Sequence, residues 1–225
     1  YHGDRGEGQW VTPYVPTSAS VPLSMRTTDY GLDRFGGTAA LKFNIGINEI
    51  ELGGWAENAQ NTQERNYFQL GGPFTSMFNF YEAGDPFYRQ FLQKYQIRTR
   101  MDYEQDTLRL LDDRLSLNFG AKAVSTQIQA RSLVPSSSYA QGTIKADDNF
   151  LPQVGISSKL DEAQDIYASY SKNIAAFGYS PFATNQATFN QLKNTLDPEQ
   201  SQTVQAGWRT HGERYEASVG AYYTR

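Results

Sequence analysis

Residues 196–225 read LDPEQSQTVQAGWRTHGERYEASVGAYYTR, and apolar and polar side chains alternate along most of this stretch. Val204, Ala206 and Trp208 occupy every second position, a polar turn follows at residues 211–214, and a second alternating run extends from Tyr215 to Thr224. Alternation with a period of two is typical of a β-strand with one apolar and one polar face. The stretch therefore predicts two antiparallel strands joined by a short turn.

Residues 149–173, NFLPQVGISSKLDEAQDIYASYSKN, repeat this plan around a polar turn at residues 161–164. The same alternation occurs upstream, over residues 38–57 and 94–127, so the chain predicts about eight strands. Short turns are expected near four positions, 47, 112, 162 and 212. Long connections are expected between them, over residues 1–36, 60–92, 128–148 and 174–197, where Gly, Pro and Asn are frequent.

Short turns at one end of a sheet and long loops at the other are typical of bacterial outer-membrane barrels, whose short turns face the periplasm. We therefore predict an all-β fold: an antiparallel transmembrane β-barrel segment of about eight strands, with short periplasmic turns and long extracellular loops. The chain begins without an initiator methionine and stops inside an alternating run. We expect residues 1–225 to be one partial barrel domain.

Composition agrees with this prediction. The 225 residues are 39% hydrophobic and 14% aromatic, and the mean hydropathy is −0.61. No run of eighteen apolar residues exists, which excludes a membrane-spanning helix, whereas barrel strands keep half of their side chains polar. The chain has no cysteine, so disulfides, thiolate metal sites and a Cys nucleophile are excluded. The net charge of −4 gives no basic patch for nucleic acid.

No nucleotide-binding, hydrolase or metalloprotease motif occurs in the sequence. The two histidines, His2 and His211, are far apart and lie in predicted loops or turns, so no metal site is expected. We predict that the protein is not an enzyme and has no cofactor. A paired-carboxylate mechanism is the one catalytic alternative that stays open.

Two segments resemble the barrel of TonB-dependent outer-membrane receptors of the siderophore-receptor type. One is Leu151–Gly155 leading to Asp165–Lys172, and the more specific one is Leu196–Ser201, a Leu-x-Pro-Glu-x-Ser stretch that leads to Gly207. The resemblance implies a plugged barrel of about 22 strands. It also implies import of a scarce nutrient, such as an iron–siderophore complex, across the bacterial outer membrane. The TonB energy-coupling complex would then act through a plug region outside this chain.

Candidate ligand-binding side chains are of two kinds. Aromatic residues in the predicted loop 60–92 and a tryptophan on an otherwise polar strand face offer contact area at low entropic cost. They are Trp55, Tyr67, Phe68, Phe74, Phe78 and Tyr81. Arg98 and Arg100 are predicted to face the lumen, together with Asp102, Glu104 and Lys122. Loop self-packing, packing of Trp55 on a plug and cross-strand ion pairs are the alternative interpretations.

Two other functional classes stay open at this level. Eight strands can close a narrow barrel, so a passive porin-like or small autonomous outer-membrane barrel is one alternative. A soluble carbohydrate-binding β module is the other, with Trp55 and the loop aromatics as sugar platforms. The partners expected from the leading hypothesis are a siderophore or another small nutrient, outer-membrane lipid and the TonB complex.

Overall fold

The computed structural model describes residues 24–69, 86, 88–134 and 138–225. Each strand pairs antiparallel with its neighbours in chain order, which confirms the predicted all-β antiparallel sheet. The sheet does not close within the described residues, because β1 and β8 each pair with one strand only. Its strands are β1 (Ser24–Ile45), β2 (Asn48–Gln69), β3 (Tyr88–Leu110), β4 (Leu115–Ser132), β5 (Gly142–Lys159), β6 (Gln164–Ile174), β7 (Gln200–Gly212) and β8 (Tyr215–Thr224).

The first five strands are much longer than the roughly ten residues that span a membrane. They have 18 to 23 residues, whereas β6 to β8 have 10 to 13. The predicted loops 1–36, 60–92 and 128–148 were therefore too long, since parts of all three belong to strands. Residues before Ser24 and residues 70–85 lie outside the described part of the chain. Pairing continues where alternation stops, because the backbone ladder needs no apolar side chains.

The four predicted turns lie within about two residues of their expected positions, at residues 46–47, 111–114, 160–163 and 213–214. In the second turn Leu111, Asp112 and Asp113 have positive φ angles of 54°, 53° and 63°. The pairing of β3 with β4 has no register shift. Leu108 and Leu110 thus belong to a regular strand and lie on the face opposite to Tyr103, so neither a bulge nor a misplaced turn accounts for the broken alternation. The apolar side of β3 changes from one face of the sheet to the other along the strand.

Register defines two faces of the sheet. One row joins Leu108, Leu117, Ile156 and Ala168, and continues to Ala206 and Ala221. We call this apolar side the outer face. The opposite side, the inner face, carries Tyr103 opposite Lys122, and the neighbouring rows hold polar residues such as Gln105.

The connection between β6 and β7 folds instead of forming an open loop. It contains a 3₁₀-helix at Ser180–Phe182 and the helix α1 at Gln186–Leu192, whose N-cap Asn185 accepts a hydrogen bond from the Thr188 backbone. This connection packs on the inner face and forms the main hydrophobic core, which comprises Tyr95, Ile128, Ala130, Ala140, Ile144, Phe182 and Phe189. None of the helices in the described ranges is long and apolar enough to cross a membrane.

Candidate functional site

The half of the inner face nearer the short turns is a polar wall. The Tyr103 hydroxyl donates to Glu51 at 2.6 Å, and the Gln153 amide donates to Gln105 at 2.8 Å. Near the first turn, Arg109 forms an ion pair with Glu49 at 3.2 Å, and Lys42 pairs with the same carboxylate. Side chains that satisfy one another in this way suit a wall exposed to water or to another polar surface.

Further along the strands, hydrogen bonds join β5 to β6 beyond the end of their backbone pairing, which stops at Gln153 and Ser171. The Lys172 ammonium lies 2.8 Å from the Asp148 carboxylate, which also accepts from Gln200 at 3.2 Å. Side-chain bonds thus hold the two strands together where the ladder has ended.

The other half of the inner face is aromatic. The Tyr95 ring lies 4.3 Å from the Tyr179 ring and 5.8 Å from Phe182, which stacks on Phe189 at 5.1 Å. Burial raises the pKa of Tyr179, which belongs to the β6–β7 connection. The cluster packs the β6–β7 connection against the sheet.

Trp55 lies on the inner face, as predicted, directly opposite Thr38 and Met101. It is half-buried. The next inner position on its strand is Gly53, and the Tyr103 ring lies across that glycine. Trp55 is therefore placed between the polar and aromatic halves of the face.

Arg98 and Arg100 were predicted to share the lumen side with Lys122, and that prediction was wrong. Lys122 pairs with Tyr103 on the inner face, whereas both arginines alternate with Tyr103 and lie on the outer face. Arg100 forms an exposed ion pair with Asp102 at 2.8 Å. The error has a physical cause: apolar residues of upper β3 pack under the β6–β7 connection, so they point inward instead of toward lipid.

The predicted aromatic loop is described only in part. The Tyr67 hydroxyl donates to Gln90 at 3.3 Å and its ring lies 5.5 Å from Tyr88, while Phe68 is buried. Both residues belong to β2 and pack against the sheet itself. The remaining candidates, Phe74, Phe78 and Tyr81, lie outside the described residues.

Sequence reasoning missed the aromatic residues of the β6–β7 connection. Gly178, Pro181 and several Asn and Gln residues favoured a loop there. The signal was nevertheless present, because four aromatic residues in thirteen positions are more than a solvated loop needs. They are Phe177, Tyr179, Phe182 and Phe189.

The whole chain, residues 1–225, matches the family model described as TonB dependent receptor-like, beta-barrel. The chain belongs to this family. No curated protein matches the sequence. The family assignment agrees with the resemblance seen in the Leu196–Ser201 stretch.

Solved structures of transporters and an outer-membrane receptor share the fold. The ferric citrate transporter FecA in its unliganded form aligns with a TM-score of 0.61 and 13% identity, covering 89% of this chain and 28% of that one. The copper transporter OprC aligns with a TM-score of 0.59 and 14% identity, covering 88% of this chain and 30% of that one. The alcaligin outer-membrane receptor FauA of Bordetella pertussis aligns with a TM-score of 0.56 and 14% identity, covering 90% of this chain and 30% of that one. This chain thus spans less than a third of the length of each.

Proposed function

We propose that this chain is part of the barrel of a TonB-dependent receptor that lies in the bacterial outer membrane and imports a scarce nutrient. An iron–siderophore complex is the substrate class that we put first. Energy comes from the TonB complex, which acts through a plug region outside this chain.

The outer face carries this proposal. Phe119, Val154 and Ile156 are 43%, 53% and 46% exposed, although they belong to central strands whose backbones are fully paired. Exposed apolar side chains on several neighbouring strands are costly in water, and hydrocarbon contact removes that cost. The polar wall on the other side of the same strands supports a lumen filled by water or by a plug.

The open sheet favours this proposal over a small autonomous barrel. A barrel of eight strands needs β1 and β8 to pair, and the unpaired edges of an open sheet are not tolerated in lipid. Further strands in the complete receptor supply the missing partners.

Ligand contacts are proposed on the inner face. Trp55 is the first candidate, because its ring sits where the polar wall meets the aromatic cluster. The outer-face Arg100 offers a matched control on the neighbouring strand. We expect Trp55→Ala to lower uptake and Arg100→Gln to leave it unchanged.

Uptake by the complete receptor tests the proposal. The receptor is expressed in cells that lack their own siderophore receptors, and radioactive iron is supplied as ferric citrate or as ferric desferrioxamine B. Radioactive copper is supplied in a parallel experiment, because one of the similar structures is a copper transporter. The expected result is uptake that disappears in cells without TonB.

Two results would contradict the proposal. One is recovery of the complete receptor in the soluble fraction. The other is uptake that continues at full rate without TonB, which would instead favour a passive channel.

A further inference from the structure

Among the residues that the structure describes, two buried amide side chains on the inner face of β2 and β3 have polar atoms without a hydrogen-bond partner. Gln93 is 0% exposed and Asn61 is 8% exposed. The atoms concerned are the amide nitrogen and the carbonyl oxygen of Gln93 and the carbonyl oxygen of Asn61. Buried polar groups are usually paired, so these three atoms require an explanation.

The two amides are neighbours on one face. Asn61 pairs with Tyr95, and Gln93 pairs with Gln63 in the next row of the same face. Diagonal pairs of this kind lie about 7–8 Å apart, within reach of one small ligand group. On its other side Gln93 pairs with Ser132, whose hydroxyl donates to the Val134 carbonyl at 2.6 Å.

No hydrogen bond within the described residues uses these three atoms. The inner-face neighbours of Asn61 and Gln93 include Tyr95 and Ala130, and these are buried and apolar. A leucine of similar size would avoid the desolvation cost of an unpaired amide. A role outside folding therefore explains these side chains better than a structural role does.

We propose that Gln93 and Asn61 bind uncharged hydroxyl or amide groups of the imported ligand. This inference rests on the proposed import function and narrows its substrate class. The unpartnered atoms provide one donor group, the Gln93 amide nitrogen, and two acceptors, the carbonyl oxygens of Gln93 and Asn61. A hydroxyl or amide group both donates and accepts, whereas a carboxylate only accepts and satisfies a single one of the three atoms.

A basic residue lies on the same face: the Arg65 guanidinium donates to the Thr28 hydroxyl at 3.1 Å and lies 5.1 Å above the Phe91 ring. The amide pair itself carries no charge, so it is suited to the neutral part of a ligand.

Gln93 and Asn61 are buried, so a ligand reaches them only after the side chains around them have moved. The Tyr139 ring packs at 4.5 Å on Phe91, which lies two residues from Gln93 on the same face. Binding that requires side chains to move is slower than binding to an open surface, so we expect slow association.

The experiment compares Gln93→Leu and Asn61→Leu with a matched control, Gln96→Leu, in the complete receptor purified in detergent. Gln96 is on the same strand but on the outer face, opposite Gln60 and Gln129. Urea unfolding and titrations with two probes are measured. The first probe, ferric desferrioxamine B, carries amide and hydroxamate groups; the second, ferric citrate, carries carboxylates.

The expected result is a pair of opposite changes. Gln93→Leu and Asn61→Leu each raise the urea concentration at the midpoint of unfolding, because an unpaired amide is removed. Each also lowers the affinity of the receptor for ferric desferrioxamine B about tenfold. Ferric citrate affinity does not change, and Gln96→Leu changes neither affinity.

Three results overturn the inference. A lower urea midpoint in both variants means that the amides serve the fold. Unchanged affinity for ferric desferrioxamine B means that the ligand does not touch them. Failure of the wild-type receptor to bind this probe refutes the assigned substrate class, while TonB-dependent uptake of another iron or copper source would leave the import function standing.

Discussion

Phe182 ties the β6–β7 connection to the sheet, and Phe182→Ala should release it. The side chain is 0% exposed, and its ring lies 5.8 Å from Tyr95 and 5.1 Å from Phe189. Its backbone carbonyl accepts from the Ala140 amide at 2.9 Å, and the substitution leaves that bond possible. The loss is therefore one of packing.

The size of the effect follows from burial. Truncating a buried phenylalanine to alanine costs about 3–5 kcal/mol, which includes the cavity left behind. The connection packs on the sheet through this cluster, so we expect most of that cost to fall on local opening rather than on global unfolding. Since about 1.4 kcal/mol is a factor of ten, the open population should rise roughly 10²- to 10³-fold.

Hydrogen exchange of the complete receptor in detergent measures this opening. The informative amides are in α1, where the Lys193 amide donates to the Phe189 carbonyl at 2.8 Å. Leu192→Ala is the matched control, because Leu192 is on the same helix but 49% exposed. Equal exchange in the two variants would refute the reasoning. Faster exchange throughout β6 and β7 would show that the cluster holds the sheet rather than the connection.

Two further predictions concern the two faces. Gly53→Ala places a Cβ against the Tyr103 ring and should lower the free energy of unfolding in urea by about 1–3 kcal/mol, whereas the Cβ of Gly37→Ala meets nothing within 4 Å and should change it little. Asp106 is on the outer face, and its Oδ1 is buried without a partner among the described residues; Asp106→Leu should therefore raise stability in lipid vesicles by about 1 kcal/mol, and a decrease would show that the carboxylate has a partner there.

Much of the fold could be predicted because the alternation of apolar and polar side chains decides it within a few residues. In β6 to β8 each strand is about as long as its alternating run, and its apolar positions face the same side throughout. The four turns also follow from their own residues, since polar and small residues tolerate the tight backbone there. The Leu196–Ser201 stretch led to the family that the whole chain matches.

The candidate site was predictable only in part. Trp55 could be placed, because its strand alternates regularly. Arg98 and Arg100 were assigned to the wrong face, since the rule that apolar side chains face lipid fails where a connection folds over the inner side. Gln93 and Asn61 gave no signal, because an amide looks the same in sequence whether it is paired, solvated or buried.

The sequence by itself determined that the chain forms antiparallel strands, where its short turns lie and which family it belongs to. These depend on alternation and turn chemistry within a few residues. The tertiary structure alone decided how far β1 to β5 extend, which face β3 turns inward and where residues 175–199 pack. Those outcomes depend on contacts such as Tyr95 with Phe182, which are far apart in sequence and meet only when the sheet has formed.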